Sequence, residues 1–191
     1  KIKYAFILFF SIGSITVFSQ ISTNSPYSRF GLGDLSGGIS AEQAAIGGYS
    51  VVYANENSIN SNNPATYSML EPKSLLFSTA IIHQSSQLST HNLMQNTNNT
   101  NFSHISIAMP INKNLFVSSG LLPYSNIGYM IEDSEDYILE TIDTTTIDYS
   151  YTGNGGISNY YLGASIKLHN KYRPQTLSVG INASYLFGGL N

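Results

Sequence analysis

The chain has 191 residues, no Cys and no Trp, and a formal net charge of −3 from 8 Lys+Arg against 11 Asp+Glu. Hydrophobic residues make up 42% and charged residues only 10%, where a soluble domain carries about 25% charged. That balance excludes a basic nucleic-acid stripe, disulfides, Cys-ligated metals and Cys nucleophiles, a lipidated Cys, and disorder driven by high charge.

Residues 1–19 read as a secretory signal peptide. Lys1 and Lys3 are basic, Tyr4 to Val17 is mostly apolar, and Val17-Phe18-Ser19 precedes a cut at Gln20. The run is shorter than the ~20 apolar residues of a membrane helix. The chain does not begin with Met, so an earlier native start is expected.

Residues 20–72 are dense in turn signals: Ser25-Pro26-Tyr27, Gly31-Leu32-Gly33-Asp34, Gly37-Gly38, Gly47-Gly48 and Asn62-Asn63-Pro64. Only Ser40 to Ala45 reads as helical, with Ser40 as N-cap and Gln43 three residues on. Phe30, Leu35, Ile46, Val52 and Ile59 give this irregular segment apolar surface to bury.

From Lys73 onward the period becomes two. Strands are predicted over 74–84, 102–110, 115–122, 157–168 and 176–187. The last is clearest: Leu177, Val179, Ile181, Ala183, Tyr185 and Phe187 share one face, with Ser178, Gly180, Asn182 and Ser184 on the other. The intervening stretches run long (86–101), short (112–114), long (129–154, with most of the acid) and short (169–175). Two-faced strands of ~9–11 residues with this alternation are features of transmembrane β-barrels. A secreted β-sandwich is the soluble alternative. Five strands cannot close a barrel, and an open edge in lipid leaves backbone groups unsatisfied. The chain therefore reads as the N-terminal part of a longer protein: signal peptide 1–19, hatch or plug 20–72, and the first five barrel strands 73–191.

Pro123 removes a ladder donor. Either the third strand ends at Leu122, or Gly120 and Pro123 kink the wall. His83 and His104 are expected roughly opposite each other on strands one and two. With no third ligand they read as polar pairing, and no metal is assigned. Glu132-Asp133-Ser134-Glu135-Asp136 lacks the spacing of a calcium loop, and His169 to Arg173 reads as a basic turn. No hydrolase, zincin or phosphate-loop motif is present, so the chain reads as a non-enzyme without cofactors.

Asn62-Asn63-Pro64-Ala65-Thr66-Tyr67-Ser68-Met69, followed by Pro72, resembles the end of the N-terminal hatch in FadL-type outer-membrane transporters. Asn24 to Asp34, Gly120-Leu121-Leu122-Pro123-Tyr124-Ser125 and Tyr185-Leu186-Phe187-Gly188 resemble uncharacterised Gram-negative outer-membrane barrels of that shape. The resemblance implies an all-β transmembrane antiparallel barrel of about fourteen strands, within the even counts such barrels adopt, with the hatch in its lumen. It implies passive uptake of hydrophobic small molecules through the cell outer membrane. Gly120, Pro123 and Tyr124 would form a lateral gate. Asn63, Pro64 and Ala65 would anchor the hatch near the start of the first strand. The alternative is a non-transporting barrel serving as scaffold or partner in an envelope or secretion complex. Expected partners are outer-membrane lipid, a hydrophobic ligand and envelope proteins, and no nucleic acid.

Overall fold

The computed structural model describes residues 23–48, 50–71, 74–91, 94–139, 143–169 and 176–190. The predicted signal peptide, the hatch–strand junction at 72–73 and most of the basic turn lie outside them.

Two 3-10 helices (Pro26–Arg29 and Pro64–Met69) and one short helix, α1 (Ala41–Ala45), belong to the N-terminal segment, with β1 (Asp34–Leu35). Ser40 and Gln43 close a reciprocal capping box on α1: each side chain bonds the other's backbone N–H, at 3.3 and 2.9 Å. The remainder is strand: β2 (Leu76–Ser89), β3 (Met94–Pro110), β4 (Leu115–Leu139), β5 (Asp143–His169) and β6 (Thr176–Leu190). β2 to β6 form an antiparallel meander in chain order, and β1 adds to β4 as a sixth strand. The sheet is open among the described residues, with β2 and β6 at its ends. No described helix is long and apolar enough to cross a membrane.

Three expectations are corrected here. Residues 86–101 and 129–154 are not long loops: their described residues are almost all paired strand, as in Ser86↔Thr97 and Met130↔Thr152. The third predicted strand does not end at Leu122, because β4 runs through Pro123 with one bulge between Pro123 and Ser125. His83 and His104 do not face each other: His83 lies opposite Thr100, His104 opposite Ala80.

Residues opposite each other in adjacent strands share a face. The row Phe77–Ile107–Ser119–Leu162–Ala183 crosses the whole sheet. Its neighbour, Thr79–Ile105–Leu121–Tyr160–Tyr185, runs beside it. This outer face is uncovered, with Ile181 73% exposed. The other, inner face carries Ser106, Ser118, Tyr161, Gly163 and Ser165, all buried under the N-terminal segment or its neighbours. The core lies in that seam, where Ile59, Tyr67 and Leu70 meet Ala108, Phe116, Leu122 and Tyr161.

The outer apolar belt has a sharp upper limit. On β5 the outer positions read Leu168, Ile166, Ala164, Leu162, Tyr160, then Ser158, Gly156, Asn154, Thr152 and Ser150. The limit falls at two irregularities. β3 skips Ser103 between the pairs Ile81↔Phe102 and Ala80↔His104. β4 skips Tyr124, so its buried positions change from even (Phe116, Ser118, Leu122) to odd (Ser125, Ile127). One extra residue in a strand shifts every later side chain to the opposite face. Above it, the outward positions of β4 become Asn126, Gly128, Met130, Glu132 and Ser134.

Candidate functional site

The inner face holds the N-terminal segment through polar contacts, and two groups of them define the site. The first lies over β5 and β6. Asn63 caps the second 3-10 helix, its Oδ1 accepting from the Ala65 N–H at 3.3 Å while its Nδ2 donates to Val51 O at 2.7 Å. Pro64 supplies the fixed φ that favours the first position of a helix. Ala65 O accepts from Ser68 Oγ at 2.8 Å and from Ser165 Oγ at 3.3 Å. Ser68 Oγ donates to Ser178 Oγ at 2.6 Å. Lys167 Nζ donates to Ser68 O at 3.4 Å, and Asn182 Nδ2 to Ser61 O at 2.6 Å.

Tyr67 is the centre of this group. It is 0% exposed, and its hydroxyl donates to Asn182 Oδ1 at 3.2 Å. Burial pushes its phenol well above the ordinary tyrosine range, so the donor proton is kept. Beside it Ser118 Oγ and Tyr161 Oη lie 3.0 Å apart. Gly180 permits the approach of the segment: a Cβ there would stand 2.7 Å from Pro64 O. Asn63, Pro64 and Ala65 thus meet the sheet at β5 and β6, and Leu76 at the start of β2 packs against the cluster that holds Tyr67 and Leu70.

The second group lies where β3 and β4 separate. Their pairing ends at Ile105↔Leu121, although both strands continue. β4 keeps its pairing with β5 through Gly120↔Tyr161 and Pro123↔Ser158. Gly120, expected at the interruption, is paired on both sides, with Ser106 and Tyr161; the loss of β3 pairing begins after Leu121, and the bulge on the β5 side falls at Tyr124. The N-terminal segment lies along that side: β1 pairs Asp34↔Asn126 and Leu35↔Ser125, and the Ser36 N–H donates to Tyr124 O at 2.9 Å. Ser28, wholly buried, accepts from the Gly128 N–H at 3.1 Å and donates to Gly128 O at 3.2 Å. Gly33, at φ +85°, admits no Cβ beside Asn126 O. Ser103 Oγ donates to Ile39 O at 3.1 Å from the β3 side. The segment thus joins the two strands.

Sequence reasoning did not find β1 or Ser28. A two-residue strand has no periodicity, and a lone Ser in a turn-rich stretch carries no signal of its partner a hundred residues away. His104 is buried and its Nε2 lies 2.9 Å from Ser78 Oγ; exposed His83 has Nδ1 at 2.8 Å from Thr100 Oγ1. Among the described residues no group of three His, Cys, Asp or Glu is placed to hold a metal.

The sequence model of the BamG family matches residues 1–191. No curated protein matches the chain, and no solved structure does. The whole-chain match overturns the FadL-type resemblance and the hydrophobic-compound transporter built on it. The stretches that suggested it are turn and hatch chemistry: Asn-Pro-Ala caps a 3-10 helix, and Gly-Leu-Leu-Pro-Tyr-Ser spans a β-bulge.

Proposed function

We infer the role of this chain from one premise: it belongs to the BamG family. The chain is an outer-membrane wall protein that works as a partner within the BAM complex. No residue in it performs chemistry. The family match over the whole chain carries this assignment, and it favours a scaffold over a carrier of small molecules.

The outer belt supports an integral position. Transmembrane strands need ~9–11 residues with an outward apolar band, and aromatics concentrate at its borders. On β5 the belt spans Tyr160 to Leu168, with Tyr160, Tyr185 and Phe187 along its upper border. Lipid covers it. Closure of the sheet into a barrel belongs to the same proposal. The outer edges of β2 and β6 have no strand partner among the described residues. The N-terminal segment leaves Tyr27, Phe30 and Val52 exposed, Val52 at 80%. A wall continuing past both edges satisfies the backbone in lipid and covers those side chains.

The test is affinity purification of the tagged full-length protein from detergent-solubilised outer membranes. The expected result is recovery of BAM-complex components in fixed proportion. Purification of a folded, heat-modifiable protein alone would refute the partner role, and release by alkaline carbonate would refute the integral position.

A further inference from the structure

Above the apolar belt the sheet divides into two ribbons, β2–β3 and β4–β5, with a cleft between them. From Met94 to Thr100, β3 pairs with β2 on one side and with no strand on the other among the described residues. Such an edge presents a row of donors and acceptors ready for another strand. The opposite bank already takes extended backbone, since β1 is seated on β4 at Ser125 and Asn126. Beside this edge, between the inner face of β2–β3 and the N-terminal segment and reaching Asn126 of β4, lies a cavity of about 330 Å³ whose lining includes Asn24, Gln84, Thr97, Asn99 and Phe102. The carboxamides of Asn24 and Asn99 meet across it at 3.1 Å. Its one lining carboxylate, Asp34, accepts from Thr23 Oγ1 at 3.1 Å.

We propose that the β3 edge from Met94 to Thr100 binds an extended strand of a partner polypeptide, added by main-chain pairing as a further strand of the sheet. Three observations select a polypeptide. The open edge repeats at strand spacing, about 3.4 Å per residue, which only another extended chain matches along its length. The lining alternates carboxamides and hydroxyls with the apolar side chains of Leu35, Ile82, Leu88 and Phe102, and carries little charge, which suits a chain of peptide groups with side chains on both sides. β1 shows that the same cleft accommodates strand addition. The cleft stands above the belt, where water can occupy the edge when it is empty.

This rests on the partner role proposed above, and residue-resolved hydrogen exchange separates the two. The full-length protein is compared with and without bound BAM complex. About tenfold slower exchange at alternate amides between Met94 and Thr100 is expected on complex formation. The intervening amides already bond β2, so period two is the signature of an added strand. Three outcomes overturn the proposal while leaving the partner role intact: unchanged exchange in the complex, uniform slowing without the period, or an edge already protected in the BAM-free protein. Failure of the BAM complex to bind overturns both.

Discussion

Ser28, which packs on β4, and Ser125, within β4, are buried serines at 0% and 1% exposure, and they should answer the same substitution differently. Ser28 Oγ meets both backbone groups of Gly128 and donates to Ser25 O at 2.7 Å. Ser28→Ala leaves a buried N–H unpaired, which costs about 1–3 kcal/mol. Ser125 Oγ has no hydrogen-bond partner among the described residues. Ser125→Ala removes a polar atom whose desolvation is uncompensated, so stability should hold or rise by up to ~1 kcal/mol. Urea unfolding of the two variants in lipid vesicles measures the contrast, and equal destabilisation would contradict the assigned bonds. Gly180→Val should act on the segment rather than on the sheet. Its branched side chain meets the Pro64 and Ala65 backbone, which cannot yield as a flexible side chain does. A heat-modifiable protein whose residues 50–71 are cut faster by protease is expected, and unchanged cleavage would show that the segment is not held at β6.

At the scale of the strand, the two faces carry opposite tolerances. Ile181 lies on the outer belt and Ser184 on the inner face, both exposed. Ser178 is unsuitable as the inner control, because its hydroxyl holds Ser68. In the integral position proposed above, Ile181→Arg places a charge against lipid and should cost about 2–4 kcal/mol near the midplane, with Ser184→Arg costing much less. Folding yield into vesicles, followed by heat-modifiable mobility, reads the difference; equal losses would reject the facing. This facing was legible in the sequence from the alternation of Leu177, Val179 and Ile181 with Ser178, Gly180 and Asn182. The lengths of β3, β4 and β5 were not. Above the belt the outward positions are polar as well, so His83, Asn96, Asn98, Glu132 and Ser150 erase the period-two signal while the backbone stays paired. Pro123 was legible as an irregularity. That β4 absorbs it with one bulge depends on β5 holding Leu122↔Asn159 and Ser125↔Ile157 on either side. The anchor on β5 and β6 was not legible either, because it pairs residues such as Ser61 and Asn182 across more than a hundred positions.

For the whole molecule, the integral position proposed above predicts which side of the membrane each end of the sheet faces. One end is economical: β3 and β4 join through a tight turn at 111–114, where Asn112 Oδ1 accepts the N–H groups of Asn114 and Leu115, both at 2.8 Å. The other end projects two ribbons past the belt, β4 and β5 pairing from Gly128↔Asn154 out to Leu139↔Asp143. Outer-membrane barrels place short turns in the periplasm and long hairpins outside the cell. The projecting ribbon also carries Glu132, Asp133 and Asp148 with no Lys or Arg between 129 and 154, a surface that stays hydrated and cannot rest in the bilayer. The chain lacks Cys, so single introduced thiols report position without background. Ser134→Cys should react with a membrane-impermeant maleimide on intact cells. Lys113→Cys, exposed on the tight turn, should react only after the outer membrane is permeabilised. The reverse pattern would invert the molecule and place the strand-binding cleft in the periplasm. Equal labelling of both sites on intact cells would mean that the belt does not separate two compartments, and the integral position would fall with it.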